Sequence, residues 1–376
     1  MDTWIAEAAH RIAVRAPEEV ALLVGISSPS GDIAGAEEVL QIATKLAPAA
    51  ARVERAPCSS ADHAEDLILR LEGSGSGRIV LLGHVDTVVS HSDHLPLRSV
   101  EDRLLGSGSV DMKGGVVLSF GVLRELAHRP ETFAEVVLLL VCDEEWRAGD
   151  FVHAQNFVGF DACLCFEAGE LTPEGEEAVV VKRKAAGTLR VRAYGRSAHS
   201  GSAPDDGANA LLALAQAAQA VADRHDPSGE LHLSAVPTVV HCGDAFNVVP
   251  AAGELLCDLR ADEKCAFDTV MEGLPQQVDG VRLEGRLLRC WPGMDSRAAT
   301  ADVLGLAHAR LGRSVVAAHR GGASDASYMA EAIDLVIDGL GPLGGEAHAP
   351  GEYVVEASLR TRAEVALALA DAILAR

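Results

Sequence analysis

The sequence predicts an α/β domain interrupted by a smaller α+β sandwich. Three observations lead there. The first third alternates helix-like and strand-like text, the texture changes near Lys184 to alternating strands around one alanine-rich helix, and α/β text returns after about Cys290. The large domain is therefore expected in two segments, 1–183 and 291–376, with the insertion at 184–290.

Each element follows from its periodicity. Glu37 to Leu46 has helical spacing, Arg78 to Leu82 is a continuous apolar run fit for a buried strand, Gly114 to Ala127 reads as a helix, and Val136 to Val141 is a second buried strand. That alternation is the mark of a sheet covered on both faces, where ligand groups gather beyond the carboxyl ends of strands. In the insertion, "GTLRVRAYG" alternates apolar and polar residues, and "GANALLALAQAAQAVAD" is a helix beginning near Gly207. "LHLSAVPTVVHCG" and "AAGELLCDLRA" are strands, giving a small sandwich with one exposed sheet face. "ADVLGLAHARLG", "SYMAEAIDLVIDGLGP" and a last helix from Arg362 complete the α/β part.

With 376 residues, 48% of them apolar, the chain can bury a large core. No stretch is long and apolar enough to span a bilayer, and Met1 to Arg15 lacks the apolar centre of a signal peptide, so a cytoplasmic location is expected. The net charge of -23 repels phosphate and argues against nucleic-acid and anionic-membrane partners. Eight cysteines without CxxC spacing read as free thiols of a reducing compartment. "LEGSGSGR" lacks the setting of a dinucleotide loop and reads as a turn.

The apolar run "VLLGHVDTVV" ends in His84 and Asp86. "GSGSVDMKGG" puts Asp111 in a glycine-rich turn before a helix, "VVLLLVCDEEW" delivers Asp143, Glu144 and Glu145 from a buried strand, "ACLCFEAG" ends at Glu167, and "GGEAHAPGEYV" holds His348 in a loop. Adjacent carboxylates repel unless protons or cations neutralise them. Three carboxylates and two imidazoles suit zinc, cobalt or manganese, and suffice for two divalent ions sharing one carboxylate. Such a pair is equipment for hydrolysis. Asp86 lies on the same strand face as His84 and is placed to accept its other ring N–H.

These motifs resemble those of the M20 metallopeptidases and aminoacylases, most of all the glutamate carboxypeptidase branch. The matching text is "GHVDTV", "GSGSVDMKGG", "DEE", "FEAG", "GRSAHSGSAPDDGANA", "NVVP", "GGASDAS" and "AHAPGEYV", which spans nearly the whole chain. The resemblance implies a di-metal exopeptidase-like catalytic domain with an inserted α+β sandwich lid through which a homodimer forms. It makes Asp111 the bridging ligand, with His84 and Glu167 completing one metal site and Glu145 and His348 the other. Glu144 becomes the catalytic base, Asp86 the orienting residue, and His199 an oxyanion donor supplied from the lid, across the dimer. Asn247, Arg260 and, more loosely matched, Arg289 become candidates for binding a substrate carboxylate. Gly321, Gly322, Ser324 and Asp325 form a loop near the pocket, with Ser324 a candidate hydrogen-bond donor.

Two departures adjoin that pocket: "WRAGD" follows the paired glutamates where glycine and serine are usual, and Ala168 stands where proline is common. The expected function is hydrolysis of an amide bond next to the free carboxylate of an amino acid, in a small molecule or short peptide, such as a C-terminal glutamate or an N-acyl amino acid. Alternatives are a biosynthetic N-deacetylase or aminoacylase, a hydrolase of a nonpeptide C–N bond, and a noncatalytic binding protein of the same fold. The last requires a lost ligand or base, and none is missing. An acid-only mechanism without metal leaves His84 and His348 idle.

Overall fold

Ile79, Val80, Leu81 and Leu82 are all fully buried, as a strand covered on both faces requires. They lie in Arg78–His84, a central strand of the larger sheet in the computed structural model, which describes residues 1–376. That sheet runs in the order Arg52–Ala56, Asp66–Glu72, Glu135–Val141, Arg78–His84, Ala162–Cys165 and Val336–Ile337. The first two strands are antiparallel and the last four run parallel. Register matters most at the centre: His84 pairs with Val141 and Leu82 with Cys165, so three neighbouring strands end side by side.

Helices Thr3–Val24, Gly114–Leu126 and Ser358–Leu374 pack on one another, and the latter two also contact the sheet. Gly115 permits one of these close approaches, since a Cβ there would lie 1.9 Å from the main-chain oxygen of Phe166. Two expectations shift in detail. The last helix begins at Ser358 rather than Arg362, with Ser358 Oγ donating to the Val355 carbonyl at 2.6 Å. "SYMAEAIDLVIDGLGP" holds only the short helix Asp325–Met329 before the strand Val336–Ile337.

The chain divides into two compact units: Met1–Lys182 with Met294–Arg320 and Ser324–Arg376, and Arg183–Gly293 with Gly321–Ala323. The second unit is an antiparallel sheet in the order Ser234–Cys242, Ala252–Ala261, Ala185–Tyr194, Val281–Trp291, Gln277–Val278. Along its middle strand Leu189, Val191 and Ala193 are buried with Ala213, Leu214 and Ala217 of the helix Ala210–Ala222, while Arg190 and Arg192 face outward. The fold is thus a mixed α/β core with an inserted sheet-rich domain. Val281–Trp291, 11 residues long, is the strand that its charge-broken text conceals. No helix is long and apolar enough to cross a membrane, and all eight cysteines are free.

Candidate metal centre

The aligned strand ends bring the expected donors together. His84 closes one strand, Asp143 to Glu145 follow the next, and Glu167 lies just past the third. Asp111 comes from the irregular turn before the Gly114–Leu126 helix, and His348 from the loop ahead of the last helix. His348 has the left-handed φ of 65°, a conformation costing roughly 1–2 kcal/mol outside glycine.

The two oxygens of Asp111 face different imidazoles. Oδ1 is 3.1 Å from His84 Nε2, and Oδ2 is 3.1 Å from His348 Nε2. Glu167 Oε1 stands 3.8 Å from the first imidazole, and Glu145 Oε1 3.3 Å from the second. His84, Asp111 and Glu167 thus form one donor group, and Asp111, Glu145 and His348 another, with the donor atoms of each within 4.8 Å of one another.

The donor set fits divalent cations. Donors at about 2.0–2.1 Å around a tetrahedral zinc stand about 3.3 Å apart, and the imidazole-to-carboxylate separations here run from 3.1 to 3.8 Å. Glu145 Oε1 is buried and faces only the His348 ring, as a donor placed for a shared cation would. Two candidate metal-ion sites are therefore present, sharing one carboxylate.

Electrostatics tell the same story. Burial works to lower the His84 pKa, yet hydrogen bonds with Asp111 and Asp86 and the charges of Glu144 and Glu167 carry it well above the ordinary histidine value. Hydrogen bonds with Asp111 and then Glu145 raise His348 to about 10 against its burial. Burial would raise Asp111, but His348 and His84 hold it well below the usual carboxylate range. The pocket attracts positive charge, and protons take that place when no metal does.

Glu144 stands apart from both donor groups. Burial raises its pKa well above the ordinary value; His84 opposes the shift, and Glu167, Asp325 and Glu145 add to it. A carboxylate tuned upward is suited to accept a proton near neutral pH.

Asp86 does more than the sequence suggested. His84 Nδ1 donates to the Asp86 main-chain oxygen at 3.0 Å and lies 3.3 Å from Oδ1, which leaves Nε2 facing Asp111 and available to a cation. The Asp86 carboxylate also accepts the main-chain N–H groups of Glu144 and Glu145 at 3.2 and 3.1 Å. One side chain therefore orients the His84 ring and pins the turn carrying Glu144 and Glu145.

Sequence reasoning missed two residues. Arg147, inside the departing "WRAGD", is fully buried and donates to Asp143 at 2.6 and 3.1 Å and to Asp325. Asp143 is thus neutralised by its own turn and takes no part in either donor group. Glu352 accepts the N–H groups of Gly108, Val110 and Asp111 at 2.8, 2.8 and 3.0 Å. Its place in "HAPGEYV" beside His348 was the available signal.

The remaining candidates are more varied. His199 Nδ1 accepts from Gly201 N and Ser202 N at 3.1 and 3.2 Å, so its proton sits on Nε2, a free donor on an exposed loop. Asn247 is on the adjoining ribbon, its carbonyl accepting from Ser200 N at 3.1 Å. Arg260 is paired with Asp258 at 3.0 Å, and Arg289 lies 5.0 Å over the Trp291 ring. Gly321 has open space around it. Ser324 Oγ is buried and donates to Asp338 at 2.6 Å, which commits the proton expected for substrate; Asp325 is taken by Arg147.

The profile of peptidase family M20/M25/M40 matches residues 80–372. The chain is 25% identical over 353 residues to a carboxypeptidase G2 of Pseudomonas sp., covering 88% of this chain and 83% of that one. It is 26% identical over 349 residues to a succinyl-diaminopimelate desuccinylase of Methylorubrum extorquens, covering 85% and 89%. In fold it is similar to the aminopeptidase PepT of Bacillus cereus, with a TM-score of 0.77 at 19% identity over 96% of this chain and 98% of that one.

Proposed function

The chain belongs to peptidase family M20/M25/M40 and is a metal-dependent hydrolase, and from that premise we propose that it cleaves an amide bond next to the free carboxylate of an amino acid. The observation that carries the reading is Asp111, whose two oxygens each face a separate histidine. N-acyl amino acids are the substrate class we favour, with a C-terminal glutamate as one member. The carboxypeptidase and the desuccinylase, at 25% and 26% identity, both fit that class and do not separate its members.

His84, Asp111 and Glu167 would hold one ion, and Asp111, Glu145 and His348 the other; zinc suits two imidazoles with carboxylates, and cobalt or manganese are alternatives. Two such ions, when bound, acidify a water and polarise the scissile carbonyl. Glu144 takes the proton of the attacking water and passes it to the leaving nitrogen. His199, with its proton on Nε2, donates to the developing oxyanion. Asn247 and Arg260 or Arg289 take the substrate carboxylate, and the open backbone at Gly321 is favoured over Ser324 as a neighbouring contact.

A homodimer through the inserted domain is part of this reading. Ser234–Cys242 is an edge strand exposing Val236, Val239 and Val240, and the helix packed beside it exposes Leu211 and Leu212. Such an edge invites pairing with a second copy. Free thiols favour the cytoplasm as the place of action.

The test is hydrolysis of a panel of N-acyl amino acids by the metal-loaded enzyme, with matched carboxamides. Cleavage of the acids and not the carboxamides is expected. Equal cleavage of both removes the carboxylate requirement, and failure on every amide favours a nonpeptide C–N bond.

A further inference from the structure

The outward face of the inserted sheet carries more positive charge than its own acids answer. Directly paired residues of antiparallel strands point to the same side. The register therefore puts Arg192 with Glu254 and Glu284, and Arg190 with Arg286, on the face away from the helix Ala210–Ala222. Thr188 lies on that face between Asp258 and Arg289, and Ala186 beside Arg260.

Three carboxylates stand on this face, and each is taken. Glu254 accepts from Arg192 at 2.9 Å, Asp258 from Arg260 at 3.0 Å, and Glu284 from Arg282. Three arginines are left over. Arg286 has no carboxylate partner, and Arg289 rests only on the Trp291 ring at 5.0 Å. Arg190 comes no closer than 3.7 Å to a Glu254 oxygen that Arg192 already holds.

The three left over are neighbours. Arg190 and Arg286 are direct cross-strand partners, and Arg289 pairs with Thr188, the next residue along that face. Opposed side chains start about 5 Å apart and diagonal ones about 7–8 Å, so three long guanidinium stems can meet at one point. Like charges held opposite each other destabilise a sheet when no counter-ion lies between them. The chain has acid to spare, with a net charge of -23, yet its strands put no fourth carboxylate here.

We propose that Arg190, Arg286 and Arg289 form a binding site for a small, multiply charged oxyanion of the phosphate class, as the free ion or a monoester. A guanidinium fork matches phosphate oxygens in pairs, and three positive charges exceed what one carboxylate neutralises. Thr188 adds a hydroxyl on the same face. All four residues belong to the unit Arg183–Gly293, so the site needs no metal donor and does not depend on the reading of the metal centre.

The test is calorimetry on the metal-loaded enzyme with inorganic phosphate and glycerol 3-phosphate as probes. Arg190→Gln/Arg286→Gln should weaken binding of one equivalent roughly tenfold or more, as loss of hydrogen bonds to a charged group does. Arg192→Gln/Arg282→Gln is the control. It removes the same charge from the same two strands, but from arginines already paired, and should bind as the parent does. Arg286→Gln alone, exposed and unpartnered, should weaken binding in the same direction and serves if the double variant does not fold. The tighter probe tells whether the free ion or an ester is the fitting form. Equal weakening in both double variants would reduce the site to a general positive field and overturn it. Binding kept in Arg190→Gln/Arg286→Gln but abolished by a chelator would assign the anion to the metal centre, against the proposal. Displacement of phosphate by N-acetylglycine would make these arginines part of the substrate-carboxylate site, and no binding at millimolar probe would leave no site at all; either result overturns it.

Discussion

Glu352 accepts the main-chain N–H of Asp111 at 3.0 Å. With Gly108 and Val110 held by the same carboxylate, it fixes the turn from which Asp111 projects. Glu352→Ala should weaken metal binding by roughly 10–100-fold, the usual effect of removing a group that orients a ligand. Competition against a chromophoric chelator measures this, and parent-like affinity at both sites would contradict it.

Glu144→Gln should keep both ions and lose turnover by about 10²–10⁴-fold, because an amide cannot take the water proton. Elemental analysis of the purified variant separates this from Glu145→Gln, which should lose metal instead. Parent-level turnover in metal-loaded Glu144→Gln removes it as the base.

Arg147→Met strands two buried carboxylates, Asp143 and Asp325, without their cation. Breaking such a pair from one side costs roughly 3–5 kcal/mol, so urea unfolding should show a markedly lower midpoint. A midpoint equal to the parent's would mean that the bridge contributes nothing.

Asp371 offers a pH test far from the donor groups. Burial would raise its pKa, but Arg310 at 2.6 Å and Arg129 at 2.8 Å lower it. A depressed folded-state value gives stability that is fully present above the ordinary carboxylate value and is lost as pH falls from there through the depressed one. Asp371→Asn should therefore be about 2 kcal/mol less stable at pH 7, the worth of hydrogen bonds to a charged group. The gap should begin to close below about pH 4. A gap independent of pH would show that the charge is not responsible.

Donation of His199 between subunits can be read by mixing. His199→Ala and Glu144→Gln are each expected to be inactive, but exchanged dimers would rebuild one complete site and recover about a quarter of parent activity by random pairing. No recovery in dimers shown to exchange would place His199 in its own subunit's site.

The donors were legible because they sit where apolar strand text stops: "VLLGH", "VVLLLVCDEE" and "ACLCFE" are runs whose period breaks at a charged residue. Parallel register then aligns those breaks, as His84 with Val141 shows. The pairings of Arg147 with Asp325 and of Glu352 with Asp111 were not legible, because those partners lie 178 and 241 residues away and no local pattern marks them. Ser324 misled for the same reason: its buried partner Asp338 cannot be seen in "GGASDAS". The strand Val281–Trp291 was hidden by arginines and a glutamate on its outward side.

The helix Ser358–Leu374 is buried along nearly its whole length, against the helices Thr3–Val24, Gly114–Leu126 and Arg297–Leu311. A ribosome makes it after everything it covers, so the apolar face of Thr3–Val24, emerging first, must wait through most of translation for its partner. The sheet of the inserted domain is drawn from one unbroken stretch, 185–291, and can close during that interval. A nascent chain thus carries a finished domain on an open one, and chaperone binding should concentrate on the large domain until the last helix arrives.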